Sequence, residues 1–367
     1  MPGAVTIFLC GDLMTGRGID QILPHPSNPV LYEPYLKNAL GYVELAEKAT
    51  GFIPRPADFT YIWGDALDEL VKAAPDARIV NLETAITKSE DHPDKGINYR
   101  MNPENLPCLA AGGVDCCCLA NNHILDWGPR GLLDTIDNLR GAAIKHAGAG
   151  ACMEEAQAPA ILEFGSRGRV IAFSFGDKTS GIPLGWAASP ENPGVNLLEG
   201  LSQETIRRIE KMVQQVKRAG DVIIVSIHWG SNWDFSISRE QRNFAHRLID
   251  EAGVDVIHGH SSHHIKGIEV YNEKLIIYGC GDFLNDYEGI EGYQYFRGDL
   301  GLMYFATIDA RSGALLSLQM TPTRIRHFRV TRATGADALW LKSIANRECR
   351  KLGTSVDFAD EGKLALR

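Results

Sequence analysis

Val5-Thr6-Ile7-Phe8-Leu9-Cys10-Gly11-Asp12 is a short β-rich apolar run that stops on a glycine and a carboxylate. The same pattern recurs along the chain. Residues 77–80 lead into Asn81-Leu82-Glu83, and 116–119 into Asn121-Asn122-His123. Residues 221–227 end in His228-Trp229-Gly230, and 254–257 in His258-Gly259-His260. Runs that stay apolar instead of alternating are what strands buried on both faces look like. Helical patterns separate them, at 65–73, 129–139, 202–217 and 239–252. In the third, Ser202 and Glu204 open a stripe of Ile206, Ile209, Met212, Val213 and Val216, an amphipathic helix with its cap. Strands alternating with helices predict an α/β fold.

The second half changes character. Residues 267–278 turn at Asn272-Glu273 between two β-rich arms, and 302–308 and 315–323 flank a turn near Gly313. These hairpins predict mixed sheets. No repeat or long linker interrupts the chain, so residues 1–350 are expected to form one domain. Within it, 21–59 is irregular and rich in proline and aromatics, and is expected to be a lid-like flap facing substrate. The tail, 351–367, is expected to be a marginal appendage.

The chain has 367 residues, 44% apolar and 23% charged, as expected of a globular protein with a sizeable core. Its net charge of -9 and the lack of a basic cluster argue against nucleic acid as a partner. No apolar run reaches membrane-spanning length, and the N-terminus lacks the features of a signal peptide. Cytoplasmic localisation is the expectation, with no membrane partner; oligomeric state is left open. The eight cysteines form no Cys-x-x-Cys pair, and free buried thiols are expected.

Open α/β sheets place ligands beyond the carboxyl ends of their strands. Five such ends here carry Asp12, Glu83, Asn122 with His123, His228, and His260. One polar strand end is ordinary turn chemistry; five that together supply metal-ligand groups point to a metal site. Of Asn121 and Asn122, one is expected to be structural. Asp126 either orients His123 or caps the helix that follows. His258 continues a strand and His264 opens the next segment, so His260 and His263 are favoured as site residues. Asp282 is either a turn residue or an addition to the site.

Six segments carry a resemblance to a known family. They are Gly11-Asp12-Leu13-Met14-Thr15-Gly16-Arg17, Asn81-Leu82-Glu83-Thr84, and Ala120-Asn121-Asn122-His123-Ile124-Leu125-Asp126-Trp127-Gly128. Ser226-Ile227-His228-Trp229-Gly230, Gly259-His260-Ser261-Ser262-His263 and Tyr278-Gly279-Cys280-Gly281-Asp282-Phe283 follow. In this order and spacing, over about residues 5–325, the chain resembles the CapA family of poly-γ-glutamate capsule proteins. That resemblance implies a calcineurin-like metallophosphatase fold, layered α/β/β/α with mixed sheets. The departures are as informative. Met14 stands where binuclear phosphatases have histidine, and thioether is no substitute for imidazole toward a hard cation. Ser261-Ser262 interrupts the histidine run, and Asp282 replaces the usual asparagine.

The remaining oxygen ligands, Asp12, Glu83 and Asn122, suit one hard divalent cation, with Ca²⁺ favoured over Mg²⁺ or Mn²⁺. His123, His228 and His260, with Asp12 and Asp126, are then free for acid/base work. The resemblance extends to a signal-less branch that includes a lasso-peptide epimerase. This implies two-base inversion of the Cα of a C-terminal residue, tryptophan by analogy, in a ribosomally made precursor peptide. Arg17 and Arg100 are the candidate carboxylate grips, and Trp229 and Trp233 the candidate pocket walls. Two alternatives stand beside this isomerase reading. One is a metal-dependent phosphoesterase or other hydrolase, the other a poly-γ-glutamate-related capsule protein.

Overall fold

A computed structural model describes residues 3–165 and 168–367; Met1 and Pro2, at the head of the N-terminal segment read above, lie outside it. Two large sheets dominate. The first has Ala4–Leu13 near its middle, parallel to Ala77–Leu82, which continues to Cys116–Cys118 and Lys145–Ala147. On the other side of Ala4–Leu13 the long strands Leu300–Asp309 and Leu315–Arg326 run antiparallel. The second sheet is ordered Ile268–Tyr271, Lys274–Ile277, Val256–His260, Val222–His228, Arg169–Gly176, Ala160–Glu163, with antiparallel pairs at its edges. The expected mixed α/β architecture is therefore present.

Alternation along the strands builds the layers. Val5, Ile7 and Leu9 pack with Val170, Val222, Ile224, Val256 and Ile277, so the two sheets face each other across one core. Phe8, Cys10, Val80 and Cys117 point the other way, onto the helices Leu40–Thr50, Ala66–Ala73 and Gly128–Gly141. On the far side Phe173, Ile223, Val225 and Ile257 meet Gln203–Val216 and Arg239–Asp250. Ser202 Oγ accepts from Thr205 N and caps the first of these helices, as its sequence predicts. Asn272 and Glu273 both take positive φ, the geometry of a tight two-residue hairpin turn. No helix among the described residues is long and apolar enough to cross a membrane.

Two expectations are corrected. Residues 21–59 are not a free flap: Leu23, Leu31, Tyr42, Val43, Ala46 and Ile53 lie in the core, and Leu40–Thr50 is helical. The buried Asp20 carboxylate pins the stretch by accepting from Ser27 N, Asn102 N and Asn105 Nδ2. Its prolines break it into short pieces, but its apolar residues have a sheet face to cover. Nor is 351–367 an appendage. Val356–Phe358 and Leu364–Leu366 extend the first sheet, with Val356 and Leu364 fully buried.

Candidate metal centre

The site lies where the parallel strands of both sheets end. Ala4–Leu13 also pairs in parallel with Asp282–Leu284, which sets Asp12 beside Asp282. Gly11 makes this approach feasible, since a Cβ there would lie 1.7 Å from Gly281 O. The neighbouring strand supplies Glu83 just beyond its end. Val222–His228 and Val256–His260 pair in register with His228 opposite His260.

Two groups of three side chains have ligand atoms within 4.8 Å of one another: Asp12 with His228 and His260, and Asp12 with His263 and Asp282. Asp12 belongs to both, and all five residues are buried. One Asp12 oxygen accepts from Asn81 Nδ2 at 2.8 Å. Without a proton from the facing Glu83 carboxyl, no donor among the described residues reaches the other, Oδ2. A buried carboxylate oxygen without a donor costs free energy unless something positive meets it.

The histidines are placed so that their lone pairs can converge. His228 Nδ1 and His260 Nδ1 approach to 2.8 Å, while Asn122 Oδ1 lies 2.9 Å from His228 Nε2 and Ser226 Oγ 2.7 Å from His260 Nε2. With protons on both Nε2 atoms, the two Nδ1 lone pairs converge. This is the outer-shell support typical of metal-ligating imidazoles. Asp282 Oδ1 fixes His263 through Nδ1 at 2.9 Å, and Asn285 Nδ2 donates to Asp282 Oδ2 at 2.6 Å. His123 is similarly anchored, with Nδ1 2.6 Å from Asp126 Oδ2 and Nε2 3.7 Å from Glu83 Oε1.

Electrostatics agree with the geometry. Burial, then the Asp282 carboxylate, push the Asp12 carboxyl up to about 7. Burial and the Asp12 charge push Glu83 well above the ordinary carboxylate range. Burial drives His228 and His260 well below the usual imidazole range, so both rings are neutral. It also lowers His123 to about 4, against the pull of Asp126. Burial disfavours a charged His263, but Asp282 and Asp12 outweigh it and raise its pKa. An Asp12 oxygen that only a protonated Glu83 could meet, crowded acids and the neutral imidazoles of His228 and His260 form a donor set that fits a divalent cation.

A sequence profile described as "Bacterial capsule synthesis protein PGA_cap" matches residues 6–287. The chain belongs to this family. Similar proteins extend the match. The probable polyglutamine synthesis accessory protein of Mycobacterium tuberculosis is 47% identical over 357 residues, 97% of this chain and 94% of that one. The PGA biosynthesis protein CapA of Bacillus subtilis is 30% identical over 288 residues, 78% of this chain and 70% of its own. The capsule biosynthesis protein CapA of Bacillus anthracis is 25% identical over 353 residues, covering 92% and 75% respectively.

In this PGA_cap chain the residues expected from sequence fall into three sets. Asp12, His228, His260, His263 and Asp282 form the two ligand groups, with Glu83, Asn122 and the His123–Asp126 pair around them. Of the expected oxygen trio, Asp12 belongs to both groups, Glu83 Oε1 lies 3.7 Å from His123 and 3.8 Å from His228, and Asn122 faces His228 Nε2; histidine enters both groups beside them. Asn121 is the structural one of the pair, donating to Asn81 Oδ1 and Leu82 O.

Arg17 and Trp229 are engaged elsewhere. Arg17 is buried, paired with Asp286 and Glu33 and stacked on Tyr42, which leaves its guanidinium no free fork for a substrate carboxylate. Trp229 is a core residue donating to Tyr278 O at 3.0 Å. Arg100 bonds Ser89 O, Glu90 and Asn28 O and lies over Trp127. Only Trp233 reaches the mouth of the site, its ring centroid 5.0 Å from that of His263. Sequence reasoning missed Lys95, whose Nζ donates to Asp126 Oδ1 at 2.5 Å and sits 3.1 Å from His123 Nδ1. It also missed Tyr287, edge-on to His263. Neither lies at a strand end, and no motif marks them.

Proposed function

We propose that this chain is an accessory enzyme in the making of a glutamate- or glutamine-based polyamide, and that it is a metal-dependent hydrolase. The sharing of Asp12 between two ligand groups carries the chemical part. End-to-end similarity to a polyglutamine synthesis accessory protein supports the biological part and moves the reading away from lasso-peptide epimerisation. Asp12, His228 and His260 would hold one cation, and Asp12, His263 and Asp282 a second. Mixed imidazole and carboxylate donors suit Mn²⁺, Fe²⁺ or Zn²⁺ better than Ca²⁺. A cation bound there supplies Lewis acidity toward a carbonyl oxygen and a more acidic bound water.

The chain's own residues do the rest. Neutral His123, locked through Nδ1 by Asp126, presents Nε2 beside Glu83 and takes up or returns a proton at that atom. Lys95 holds the Asp126 carboxyl in place through an ion pair at 2.5 Å. Burial of the whole group excludes bulk water and strengthens each of these interactions. A second reading keeps the two-base epimerase: His123–Asp126 and His263–Asp282 are two anchored dyads, one on each side of Asp12.

One experiment separates them. Glutamine and glutamate oligomers are incubated in deuterated water with metal-stripped protein, with and without added Mn²⁺, and read by mass spectrometry. Metal-dependent shorter oligomers, lost in His123→Gln, support the hydrolase. Deuterium gained at Cα with no loss of length supports the epimerase and overturns it. Turnover of phosphoesters with neither change would assign phosphoesterase chemistry instead.

A further inference from the structure

A cavity of about 350 Å³ opens beside the metal centre. Its inner wall is Asn285 and Tyr287, the same side chains that hold Asp282 and pack on His263. An occupant is therefore one side-chain layer from the second ligand group. Its outer wall is aromatic: Trp233 stacks on Tyr293 with centroids 4.3 Å apart and planes 7° from parallel. Tyr293 is 51% exposed, so a stacked aromatic face stands open to solvent.

The remaining wall is charged but internally balanced. Arg297 holds Asp299 through Nε at 2.7 Å and Nη2 at 2.9 Å, and reaches Asp337 at 2.8 Å. Arg324 pairs with the same two carboxylates, at 3.2 Å to Asp299 and 2.9 Å to Asp337. Two guanidinium groups face two carboxylates, Asp299 in the lining and Asp337 behind it, and the quartet is neutral. Glu288 then adds a carboxylate, bound by Thr50 Oγ1 and the N–H groups of His327 and Phe328, with no ion-pair partner among the described residues.

We infer that this cavity seats an uncharged, amide-bearing chain and discriminates against a polycarboxylate. The inference rests on the polymer-synthesis reading above and selects between its two polymers. Planar amides lie flat on aromatic rings without needing a counter-charge. A glutamate polymer would bring one carboxylate per residue to a wall whose cations are already paired, on a chain of net charge -9. The aromatic wall supplies the attraction, and the lack of an unpaired cation among the described lining residues supplies the specificity.

Isothermal titration with end-blocked hexamers of glutamine, glutamate and lysine tests this, using the full chain with and without EDTA. The glutamine hexamer is expected to bind in both conditions, with affinity steady from about 50 to about 500 mM NaCl, as an uncharged contact should be. Glutamate and lysine hexamers are expected to bind at least about tenfold more weakly. Trp233→Ala and, separately, the more exposed Tyr293→Ala should each weaken the glutamine hexamer by about five- to tenfold with the melting temperature unchanged. Tighter binding of glutamate or lysine, or unchanged binding in both aromatic variants, overturns the inference and leaves the polymer reading standing. Binding of none of the three overturns both.

Discussion

Asp12→Asn should make the metal-free protein more stable at alkaline pH while abolishing its response to metal. Asp12 is fully buried, and its carboxyl is pushed from 3.8 to about 7 by burial and the Asp282 charge. In the unfolded chain it titrates near its ordinary value. Between these limits the folded state holds a proton that the unfolded state has released, so stability falls as pH rises through the window. The penalty is near zero around pH 4 and complete above about pH 7. About three pKa units at about 1.4 kcal/mol each is about 4 kcal/mol. Asparagine keeps the shape and the acceptor for Asn81 but carries no charge to bury.

At about 2.1 cal/mol/K of unfolding entropy per residue, that gain is about 5 °C in melting temperature. The assay is calorimetry of both proteins in EDTA from about pH 4.5 to about pH 8. Comparing them pH by pH cancels the depressed His228 and His260, which act in the opposite sense by losing stability as pH falls below the ordinary imidazole range. Adding Mn²⁺ at the alkaline end should then raise the wild-type melting temperature and leave the variant nearly unmoved. A variant that melts lower than wild type in EDTA at alkaline pH, or a difference that does not change with pH, would refute the idea that a cation is needed to offset this charge.

Two other outcomes follow from the same geometry. Elemental analysis of Mn²⁺-loaded protein should give about two ions per chain, about one in Asp282→Asn and none in Asp12→Asn, because Asp12 serves both groups and Asp282 only one; one ion in the wild type would restore the single-cation expectation. Arg17→Met should cost about 3–5 kcal/mol in urea unfolding, because it leaves Glu33 and Asp286 buried without their cation; full stability with weakened substrate binding would return Arg17 to the substrate.

The fold was legible where burial is two-sided. The run 5–10, Cys116–Cys118 and Val222–His228 read as apolar without alternation because a sheet lies against one face and helices against the other. Strand ends were legible for the same reason: Asp12, His228 and His260 stop apolar runs abruptly. Residues 21–59 were misread because prolines fragment them into pieces too short to show a period, although Leu31, Tyr42 and Ile53 are core residues. Arg17 was misread because its partners, Glu33 and Asp286, are 16 and 269 residues away, and nothing local shows that the fold brings three buried charges together. Lys95 belongs to no element, and its proximity to His123 and Asp126 is purely tertiary.

Met14 bears on how ligands are counted along a sequence. Losing a histidine at that position removes a ligand only if each motif supplies its own fixed share of the site. The fold does not divide the work that way. Met14 is fully buried and its sulfur receives the Tyr287 hydroxyl at 3.7 Å, so the position has become part of the packing. The parallel pairing of Asp12 with Asp282 brings in a carboxylate from the far end of the matched region, already bonded to His263. The glycine before each aspartate permits that pairing: Gly11 removes the clash with Gly281 O, and Gly281 takes a positive φ of 77°. Around Asp12, a thioether at Met14 and a carboxylate at Asp282 thus stand in one site, the first in the packing and the second in a ligand group. The second candidate group joins Asp12 to Asp282 and His263, and those are the two residues that the neutral aromatic cavity approaches through Asn285 and Tyr287.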